Sequence, residues 1–345
     1  MSLSVAVVGA TGAVGREMLA VLEQRKFPSA SVRAFASPRS AGVKIPFRGG
    51  DLTVEPLADG WHKGIDCALL SAGSSISKAV APVAAEAGTV VIDNSSAFRM
   101  TDGVPLIIPE VNADALPARG KGCIVANPNC STIILLMGIT PLHRAFGVER
   151  VVVSTYQAAS GAGAQAMAAL EAETREFVAG GPPRAIAFHE PYAFNLFCHN
   201  STVDAMTGLN GEEQKMIDET HKIWNDPAVR ITATCVRVPV MRAHCESVNV
   251  TLKNAATLAQ VRTSLTAFRG VSIVDDRLTN RFPTPQKASG GDDVLVGRLR
   301  ADPSQLAPGA SPESATRGFD LFLAGDQLRK GAALNAVQIA ERMFL

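Results

Sequence analysis

A glycine-rich turn near the start of the chain constrains the fold more than any other feature. The apolar run Leu3–Val8 has the length of a buried strand, and Gly9-Ala-Thr-Gly12-Ala-Val-Gly15 follows it and opens a helical segment. In this setting Gly9 can form the tight turn, Gly12 lets a pyrophosphate approach the backbone, and Gly15 lets the helix pack on the strand. The spacing GxxGxxG differs from GxGxxG, so a plain strand–helix turn remains the alternative.

Short apolar runs and helical segments alternate through the first third of the chain, up to residue 128. This rhythm is typical of βαβ units and a parallel sheet. The further strands are expected at Val32–Ala36, Cys67–Ser71, Val90–Ile92 and Cys123–Ala126, and the helices at 13–25 and 75–87. The sequence therefore predicts an α/β, Rossmann-type N-terminal domain.

The pattern changes from Val151 onward, where long β-rich segments dominate. They predict a second domain with a mixed or antiparallel sheet, and a chain of 345 residues is also long for a single core. Its strands are expected at Val151–Gln157, Ile231–Val240 and Ser247–Leu252, and its helices at 163–179, 211–224 and 257–268. At the end of the chain we expect a strand over Asp320–Ala324, a helix over 326–343 that packs on the first domain, and loops over 282–292 and 301–317.

Composition excludes several classes of function. The 33 Lys and Arg residues nearly balance the 32 Asp and Glu residues, so no bulk charge attracts nucleic acid or an anionic membrane. Six cysteines without a CxxC pair predict a reducing compartment rather than a disulfide scaffold or a zinc site. The start has no basic leader, and no apolar run approaches the ~18 residues of a spanning helix. We therefore expect a cytoplasmic protein that binds no metal, nucleic acid or membrane.

The end of the second strand selects the form of the dinucleotide. NAD enzymes place an acidic residue there to bind the ribose 2′-hydroxyl, but this chain has Arg39 and Ser40 instead. A guanidinium and a hydroxyl suit a 2′-phosphate, which favours NADP. The alternative is that Arg39 is an ordinary solvated loop residue.

Cys130 is the predicted nucleophile. It follows the strand Cys123–Ala126 and the turn Asn-Pro-Asn129, and it begins an apolar helix, where free N–H groups and the helix dipole favour a thiolate. The Asn129 amide can donate to a developing oxyanion. We predict that four other cysteines are small buried hydrophobes, namely Cys67, Cys123, Cys198 and Cys235.

His244 is the histidine with the most reactive surroundings. The segment 235–246 also contains Arg237, Arg242 and Glu246, a combination that can bind a carboxylate and carry a proton near neutral pH. The alternative is a polar strand edge without catalytic use.

Several motifs in the same order resemble the aspartate-semialdehyde dehydrogenase family over essentially the whole chain. They are GATGAVG (9–15), SSAFRM (95–100), NPNCST (127–132), TYQAASGAG (155–163), RVPVMRAHCES (237–247) and DQLRKGAALNAVQIAE (326–341). The resemblance implies a Rossmann-type NADP-binding domain from 1–129 plus 326–345. It also implies an α+β catalytic and dimerisation domain over 130–325, of the glyceraldehyde-3-phosphate-dehydrogenase-like type.

The resemblance also implies a role for individual residues. Cys130 would form an acyl-thioester, His244 would act as acid/base, and Gln157 would orient the substrate carbonyl. The implied substrate contacts are Arg237 to the α-carboxylate, Glu212 near the amino group, and Arg99 and Lys215 to the phosphate. The implied NADP contacts are Gly9, Thr11, Gly12, Ala13, Val14, Arg39, Ser40, Ser160, Gly161 and Gln327. At Gln327 the family usually has Asn, which leaves the nicotinamide contact open.

The implied reaction is the NADPH-dependent reduction of L-aspartyl 4-phosphate to L-aspartate 4-semialdehyde and phosphate, for lysine, threonine and methionine synthesis. The implied partner is a second copy of the chain, in a homodimer or a tetramer. One rival is an N-acetyl-glutamyl phosphate reductase, which the pairing of Arg237 with Glu212 disfavours because these residues suit a free amino acid. A non-catalytic NADP-binding paralogue would leave Cys130 and His244 unexplained, and a cysteine hydrolase would leave the glycine turn unused.

Overall fold

A computed structural model describes residues 3–118 and 122–345. The chain divides into two compact units. The first unit contains the chain up to Asn129 together with Gly331–Leu345, and the second contains Cys130–Lys330. Within the described residues, no helix has both the length and the apolar composition that a membrane crossing requires.

The described residues form two sheets flanked by helices. The strands of the first sheet are β1 (Leu3–Val8), β2 (Ser29–Ala36), β3 (Lys44–Phe47), β4 (Gly50–Pro56), β5 (Cys67–Leu70), β6 (Val90–Asp93) and β7 (Cys123–Ala126). Those of the second sheet are β8 (Val148–Gln157), β9 (Phe197–Cys198), β10 (Arg230–Arg237), β11 (His244–Ala256), β12 (Val271–Ile273), β13 (Val294–Ala301) and β14 (Thr316–Gly325). The helices are α1 (Ala13–Gln24), α2 (Ser74–Glu86), α3 (Pro109–Asn112), α4 (Cys130–Phe146), α5 (Ala164–Val178), α6 (Gly211–Trp224), α7 (Leu258–Thr266), α8 (Pro285–Ala288) and α9 (Leu334–Phe344).

The first unit contains the predicted Rossmann-type sheet. Its strand order is β3-β4-β2-β1-β5-β6-β7, with every pair parallel except the β3–β4 hairpin, which the sequence did not reveal. The order reverses between β1 and β5, and ligands of such sheets bind where the strands end at this switch point. Helix α9 packs its apolar face, including Leu334 and Val337, in the same core as Met18 and Leu22 of α1. The predicted return of the last helix to the first domain is confirmed.

The second unit is built on a mixed sheet with the order β12-β13-β14-β11-β8-β10-β9. Helix α4 packs on one face of it, against β11 and β14. Two glycines allow this close approach: a Cβ atom at Gly138 would lie 2.6 Å from Leu323 Cδ1, and one at Gly325 would lie 2.8 Å from Ile134 Cγ1. The fold class predicted from the sequence is confirmed in both units.

Several predicted boundaries are wrong. The expected strand Ile231–Val240 ends at Arg237, because Val240 and Met241 bond instead to the turn after β8. The expected helix over 326–343 begins with a π-helix over Arg329–Ala333, and α9 follows only from Leu334; the Asp326 carboxylate accepts the N–H groups of Leu328 and Arg329, as an N-cap does. The expected loop 282–292 contains α8, and the end of 301–317 belongs to β14.

Candidate active site

Strand register in the second unit brings three predicted site residues into one row. Cys245 of β11 pairs with Tyr156 of β8, and Arg237 of β10 pairs with Gln157. Because β11 and β8 are antiparallel, the next pair along the two strands is His244 and Gln157. Since side chains alternate along strands, His244, Gln157 and Arg237 lie side by side on one face. All three are buried, at 0%, 1% and 4% exposure.

One hydrogen bond determines the tautomer of His244, and burial keeps its ring neutral. The backbone N–H of Ala158 donates to Nδ1 at 3.0 Å, so the ring proton of neutral His244 resides on Nε2. Nε2 is buried and has no hydrogen-bond partner among the described residues. Burial, assisted by the charge of Arg237, lowers the pKa of His244 to about 3. His244 is therefore a neutral ring whose Nε2–H is available to a ligand.

Gly161 holds the backbone of the turn after β8 close to this row. A Cβ atom at this position would lie 2.9 Å from both Cε1 and Nε2 of His244 and 3.2 Å from Nη1 of Arg237. Any other residue would displace one of these two side chains, so the close approach requires glycine.

Gln327 links this turn to His244. Its Oε1 accepts the N–H of Ala243 at 2.8 Å, and its Nε2 donates to Ser160 Oγ. Ala243 is buried and has φ +74°, a conformation that costs free energy outside glycine. The hydrogen bond from Gln327 thus stabilises a strained residue directly before His244. The resemblance suggested a nicotinamide contact for this side chain, which is longer than the usual Asn, and did not reveal this bond to Ala243.

Arg237 is a buried cation with neutral partners. It donates from Nη2 to His199 Nε2 at 2.7 Å, from Nε to Asn200 Oδ1 at 3.3 Å and from Nη1 to the Ala158 carbonyl at 3.4 Å. No carboxylate of the described residues forms an ion pair with it. Because a buried charge strongly favours an opposite charge, this guanidinium is suited to an anionic ligand group.

Gln157 connects the row to helix α6. Its Nε2 donates to Glu212 Oε1 at 3.2 Å, and its Oε1 accepts from Thr155 Oγ1 at 3.2 Å. Glu212 Oε2 accepts in turn from Lys215 at 3.1 Å. Glu212 is buried, because the N-terminus of α6 packs against β10, where Glu213 accepts the N–H of Cys235 at 3.0 Å.

Cys130 begins α4, in accordance with the predicted strand–turn–helix pattern. Ile134 lies against Gly325, which pairs with His244, and Gly138 lies against Leu323, which pairs with Glu246. The helix therefore runs away from the His244 row. Cys130 precedes Ile134 by one turn, about 6 Å along the axis, so the N-terminus of α4 lies at the end of the sheet that carries His244. The preceding Asn129 is buried.

Two further buried groups lie near the row: the sequence included Glu246 in the His244 segment without a role of its own, and His199 was not singled out. Glu246, two residues after His244 on the same face, is fully buried, and neither carboxylate oxygen has a hydrogen-bond partner among the described residues. Burial raises the pKa of Glu246 well above its ordinary value. The period of two along a strand could have placed it beside His244. His199, which bonds Arg237, had no such signal because it lies on a distant segment.

The remaining cysteines agree only in part with the prediction. Cys67 and Cys235 are buried, and burial raises the pKa of both thiols. Cys123 is half-buried, and the prediction that Cys198 is buried is wrong: it lies on the short edge strand β9, at the end of the sheet order.

The glycine turn in the first unit has the geometry of a phosphate cradle. Gly9 has φ +88°, and a Cβ atom there would lie 2.3 Å from the Ser71 carbonyl oxygen at the end of β5. A Cβ atom on Gly15 would lie 2.2 Å from the Gly9 oxygen, whereas one on Gly12, the N-cap of α1, would come no closer than 3.4 Å to that oxygen. Thr11, Ala13 and Val14 complete the turn and the first turn of α1.

The other predicted ligands of the first unit lie at strand ends. Arg39 and Ser40 form a short 3-10 turn after β2, and Arg39 is exposed. Arg99 is buried after β6, where it donates from Nε to the Asn127 carbonyl and from Nη2 to the Asn94 carbonyl, each at 2.9 Å. Two backbone carbonyls thus fix the direction of its guanidinium.

Comparison with known proteins identifies the class. A model of the semialdehyde dehydrogenase NAD binding domain matches residues 4–118, and a model of the semialdehyde dehydrogenase dimerisation domain matches residues 139–330. The fold and the site thus define a semialdehyde dehydrogenase.

Individual relatives narrow this class. An aspartate-semialdehyde dehydrogenase from Synechocystis sp. is 48% identical over 98% of this chain and 96% of its own. One from Aquifex aeolicus is 44% identical over 99% and 98% of the two chains. The crystal structure of aspartate semialdehyde dehydrogenase II from Vibrio cholerae, complexed with ASA, matches with a TM-score of 0.91 and 40% identity over 99% and 98% of the chains. The chain belongs to the aspartate-semialdehyde dehydrogenase family.

Proposed function

We propose that this protein reduces L-aspartyl 4-phosphate to L-aspartate 4-semialdehyde and phosphate with NADPH, through an acyl-thioester on Cys130. The observation that carries the proposal is the buried row of Arg237, Gln157 and His244 on one sheet face, with the N-terminus of α4 at the same end of the sheet. It combines an anion receptor, an amide, a neutral N–H donor and a thiol, which acyl transfer through cysteine requires.

Arg237 binds the α-carboxylate of the substrate in this proposal, because its charge is buried and meets only neutral acceptors. Glu212 accepts from the substrate amino group, which lets the site distinguish a free amino acid from an N-acylated one. Gln157 bonds Glu212 and so orients the substrate between the two charges. Arg99 and Lys215 bind the phosphate, an assignment that rests on the family resemblance.

Cys130 supplies the nucleophile. Cys130 lies at the N-terminus of α4, where the positive end of the helix dipole favours its thiolate. The thiolate attacks the acyl carbon, the bond to the phosphate oxygen breaks, and phosphate leaves with the electron pair. Asn129 and Gln157 donate to the carbonyl oxygen as negative charge develops.

His244 acts as a hydrogen-bond donor in the second half of the reaction. When bound, the dinucleotide supplies a hydride to the thioester carbon. The Nε2–H of His244 stabilises the resulting alkoxide of the thiohemiacetal, and the alkoxide then expels the Cys130 thiolate and forms the aldehyde. Since Ala158 occupies Nδ1, the ring is held as a donor, which is the acid half of the expected acid/base role.

The first unit fits a dinucleotide. Gly9 and Gly15 allow close backbone contacts that a Cβ atom would prevent, and the absence of a side chain at Gly12 lets a pyrophosphate approach the backbone. We assign the NADP contacts to Gly9 and Thr11–Val14, Arg39 and Ser40, Ser160 and Gly161, and Gln327. Arg39 selects NADP over NAD. The proposed boundaries of the cofactor domain are 1–129 plus 326–345, with catalysis and dimerisation over 130–325; the compact units divide five residues later, between Lys330 and Gly331.

We propose a homodimer, with a tetramer as the alternative. The second face of the mixed sheet exposes apolar side chains, with Tyr156 at 38% exposure and in ring contact with Phe322. The match of residues 139–330 to a dimerisation-domain model also supports an oligomer. The reaction would run in the biosynthetic direction, toward diaminopimelate and lysine, threonine and methionine.

The test is phosphate-dependent reduction of NADP with aspartate semialdehyde by the full-length chain. Cys130→Ala should abolish turnover while an NADP titration remains unchanged. Activity with N-acetylglutamate semialdehyde in place of aspartate semialdehyde would overturn the substrate assignment, and turnover by Cys130→Ala would overturn the thioester.

A further inference from the structure

A chain of hydrogen bonds connects Arg237 to the start of helix α6. Arg237 Nη2 lies 2.7 Å from His199 Nε2, and His199 Nδ1 lies 3.1 Å from Ser201 Oγ. Ser201 Oγ donates to Asn210 Oδ1 at 3.2 Å and accepts the N–H of Glu212 at 3.1 Å. This hydrogen-bond chain therefore begins at Arg237, the proposed anion receptor, and ends at the helix that carries Glu212.

The donors in this chain determine the tautomer of His199. A guanidinium can only donate, so Nε2 must accept and the proton of a neutral ring must reside on Nδ1. The Ser201 backbone N–H also lies 3.2 Å from Nδ1, but both ring nitrogens cannot accept at once. The shorter bond from Arg237 decides the question, and Nδ1–H donates to Ser201 Oγ.

The surroundings of His199 favour this neutral form. The ring is largely buried, and burial, together with the charge of Arg237, lowers the pKa of His199 to about 4. Glu212 opposes this effect and Lys215 adds to it. A protonated ring would also place two cations 2.7 Å apart. His199 therefore stays an acceptor for Arg237 throughout the neutral range.

The far end of the chain holds the first turn of α6. Asn210 caps the helix: its Oδ1 accepts the N–H groups of Glu212 and Glu213, each at 3.0 Å, and its own N–H donates to Glu213. Glu212 then bonds Gln157, which pairs with Arg237 across the sheet. The hydrogen bonds, together with the strand pairing of Gln157 and Arg237, thus form a closed ring that fixes the distance between Arg237 and Glu212.

We propose that His199 and Ser201 are positioning residues that hold the carboxylate receptor Arg237 and the amine acceptor Glu212 in one geometry. The inference rests on the proposed function, since it assigns the two ends to the carboxylate and amino groups of one substrate. Neither His199 nor Ser201 needs to touch the substrate.

Substitutions at His199 distinguish its hydrogen bond to Arg237 from its hydrogen bond to Ser201. His199→Gln places an amide oxygen near the position of Nε2, so it can still accept from Arg237. His199→Asn reaches only the position of Nδ1, so it retains the bond to Ser201 but loses Arg237. We expect His199→Asn and His199→Ala to raise the KM for aspartate semialdehyde about ten-fold, as expected for a lost bond to a charged group. His199→Gln should stay within about three-fold of the parent KM.

The pattern of kinetic constants distinguishes positioning from general damage. The KM for NADP should stay unchanged in all three variants. Ser201→Ala should also raise the KM for aspartate semialdehyde, but add nothing in the His199→Ala background, because one chain is already broken. His189→Gln is the matched control: His189 is exposed, is in ring contact with Phe197, two residues before His199, and lies outside the hydrogen-bond chain. Additive effects of His199→Ala and Ser201→Ala, or an equal loss in His199→Gln and His199→Asn, would overturn the proposal.

A second measurement does not depend on turnover. Nitrogen-15 NMR of the histidine rings should show His199 with its proton on Nδ1 and neutral down to about pH 5. A proton on Nε2, or a titration near the ordinary histidine value, refutes the inference even if the protein is active. If the parent protein shows no turnover with aspartate semialdehyde while NMR finds the Nδ1–H tautomer, the proposed function fails and the hydrogen-bond chain stands.

Discussion

Gly161→Ala tests whether the close approach of the turn after β8 sets the position of His244. In the structure the added Cβ atom would lie 2.9 Å from His244 Cε1 and Nε2 and 3.2 Å from Arg237 Nη1. Carbon contacts are normally ~3.5–4.0 Å, so the ring must move by roughly 0.6–1 Å. His244 cannot move freely, because it is fully buried and Ala158 holds Nδ1.

The expected cost follows from this displacement. A misplacement of about 1 Å can lower the rate ~100-fold, which corresponds to about 2.7 kcal/mol of transition-state stabilisation. We therefore expect the kcat/KM of Gly161→Ala for phosphate-dependent oxidation of aspartate semialdehyde to fall about 100-fold. Overpacking should also lower the free energy of unfolding by about 1–3 kcal/mol, measured by thermal unfolding.

A double-mutant cycle identifies the cause. If the collision with His244 is responsible, Gly161→Ala should cost much less in a His244→Ala background, where the ring is absent. Gly50→Ala is the control, since the nearest atom to its added Cβ is 4.0 Å away. Retention of kcat/KM within about three-fold in Gly161→Ala would refute the reasoning. An undiminished loss in the His244→Ala background would assign the effect to another contact of Gly161, such as the cofactor.

Three further predictions address charge. Glu246→Gln should raise the Tm above that of the parent protein by more at pH 8 than at pH 5. Burial raises the pKa of Glu246, so the folded carboxyl keeps a proton that the unfolded chain releases above the ordinary pKa. The parent protein therefore loses stability as the pH rises, and the Gln variant does not. An equal gain at both pH values would contradict this. Arg39→Ala should raise the Kd for NADP about ten-fold and leave the Kd for NAD nearly unchanged; equal weakening of both would argue for a solvated Arg39. Arg237→Lys should raise the KM for aspartate semialdehyde at least about ten-fold at an unchanged Kd for NADP, because an ammonium lacks the guanidinium fork. An unchanged KM would exclude Arg237 as the carboxylate receptor.

Local patterns sufficed where one segment carries the whole signal. The strand β1, the glycine turn and the helix α1 follow each other directly, and Gly9 is needed there for its φ angle and its contact with Ser71. The strand–turn–helix around Cys130 was predictable for the same reason. The short hairpin of β3 and β4 was not, because strands of four to seven residues with exposed side chains have little apolar periodicity.

The site depended on contacts between distant segments. The cluster 235–246 suggested that Arg237 and His244 belong together, but the sequence placed them in one stretch, whereas the structure brings them together across β10, β8 and β11. The family resemblance indicated Gln157 and Glu212 as site residues but not the hydrogen bond between them. His199 seemed ordinary because its partner Arg237 lies 38 residues further along the chain.

The sequence by itself determined the two-domain α/β class, the dinucleotide turn, the cysteine at a helix start and the family. These features depend on local periodicity, on backbone conformations that only glycine adopts readily, and on ordered motifs. Only the tertiary structure decided that His244 is a neutral donor, that Gln327 stabilises Ala243, and that His199 links Arg237 to α6. The physical reason is that protonation and side-chain direction depend on burial and on hydrogen-bond partners, and strand register brings these together from positions far apart in the chain.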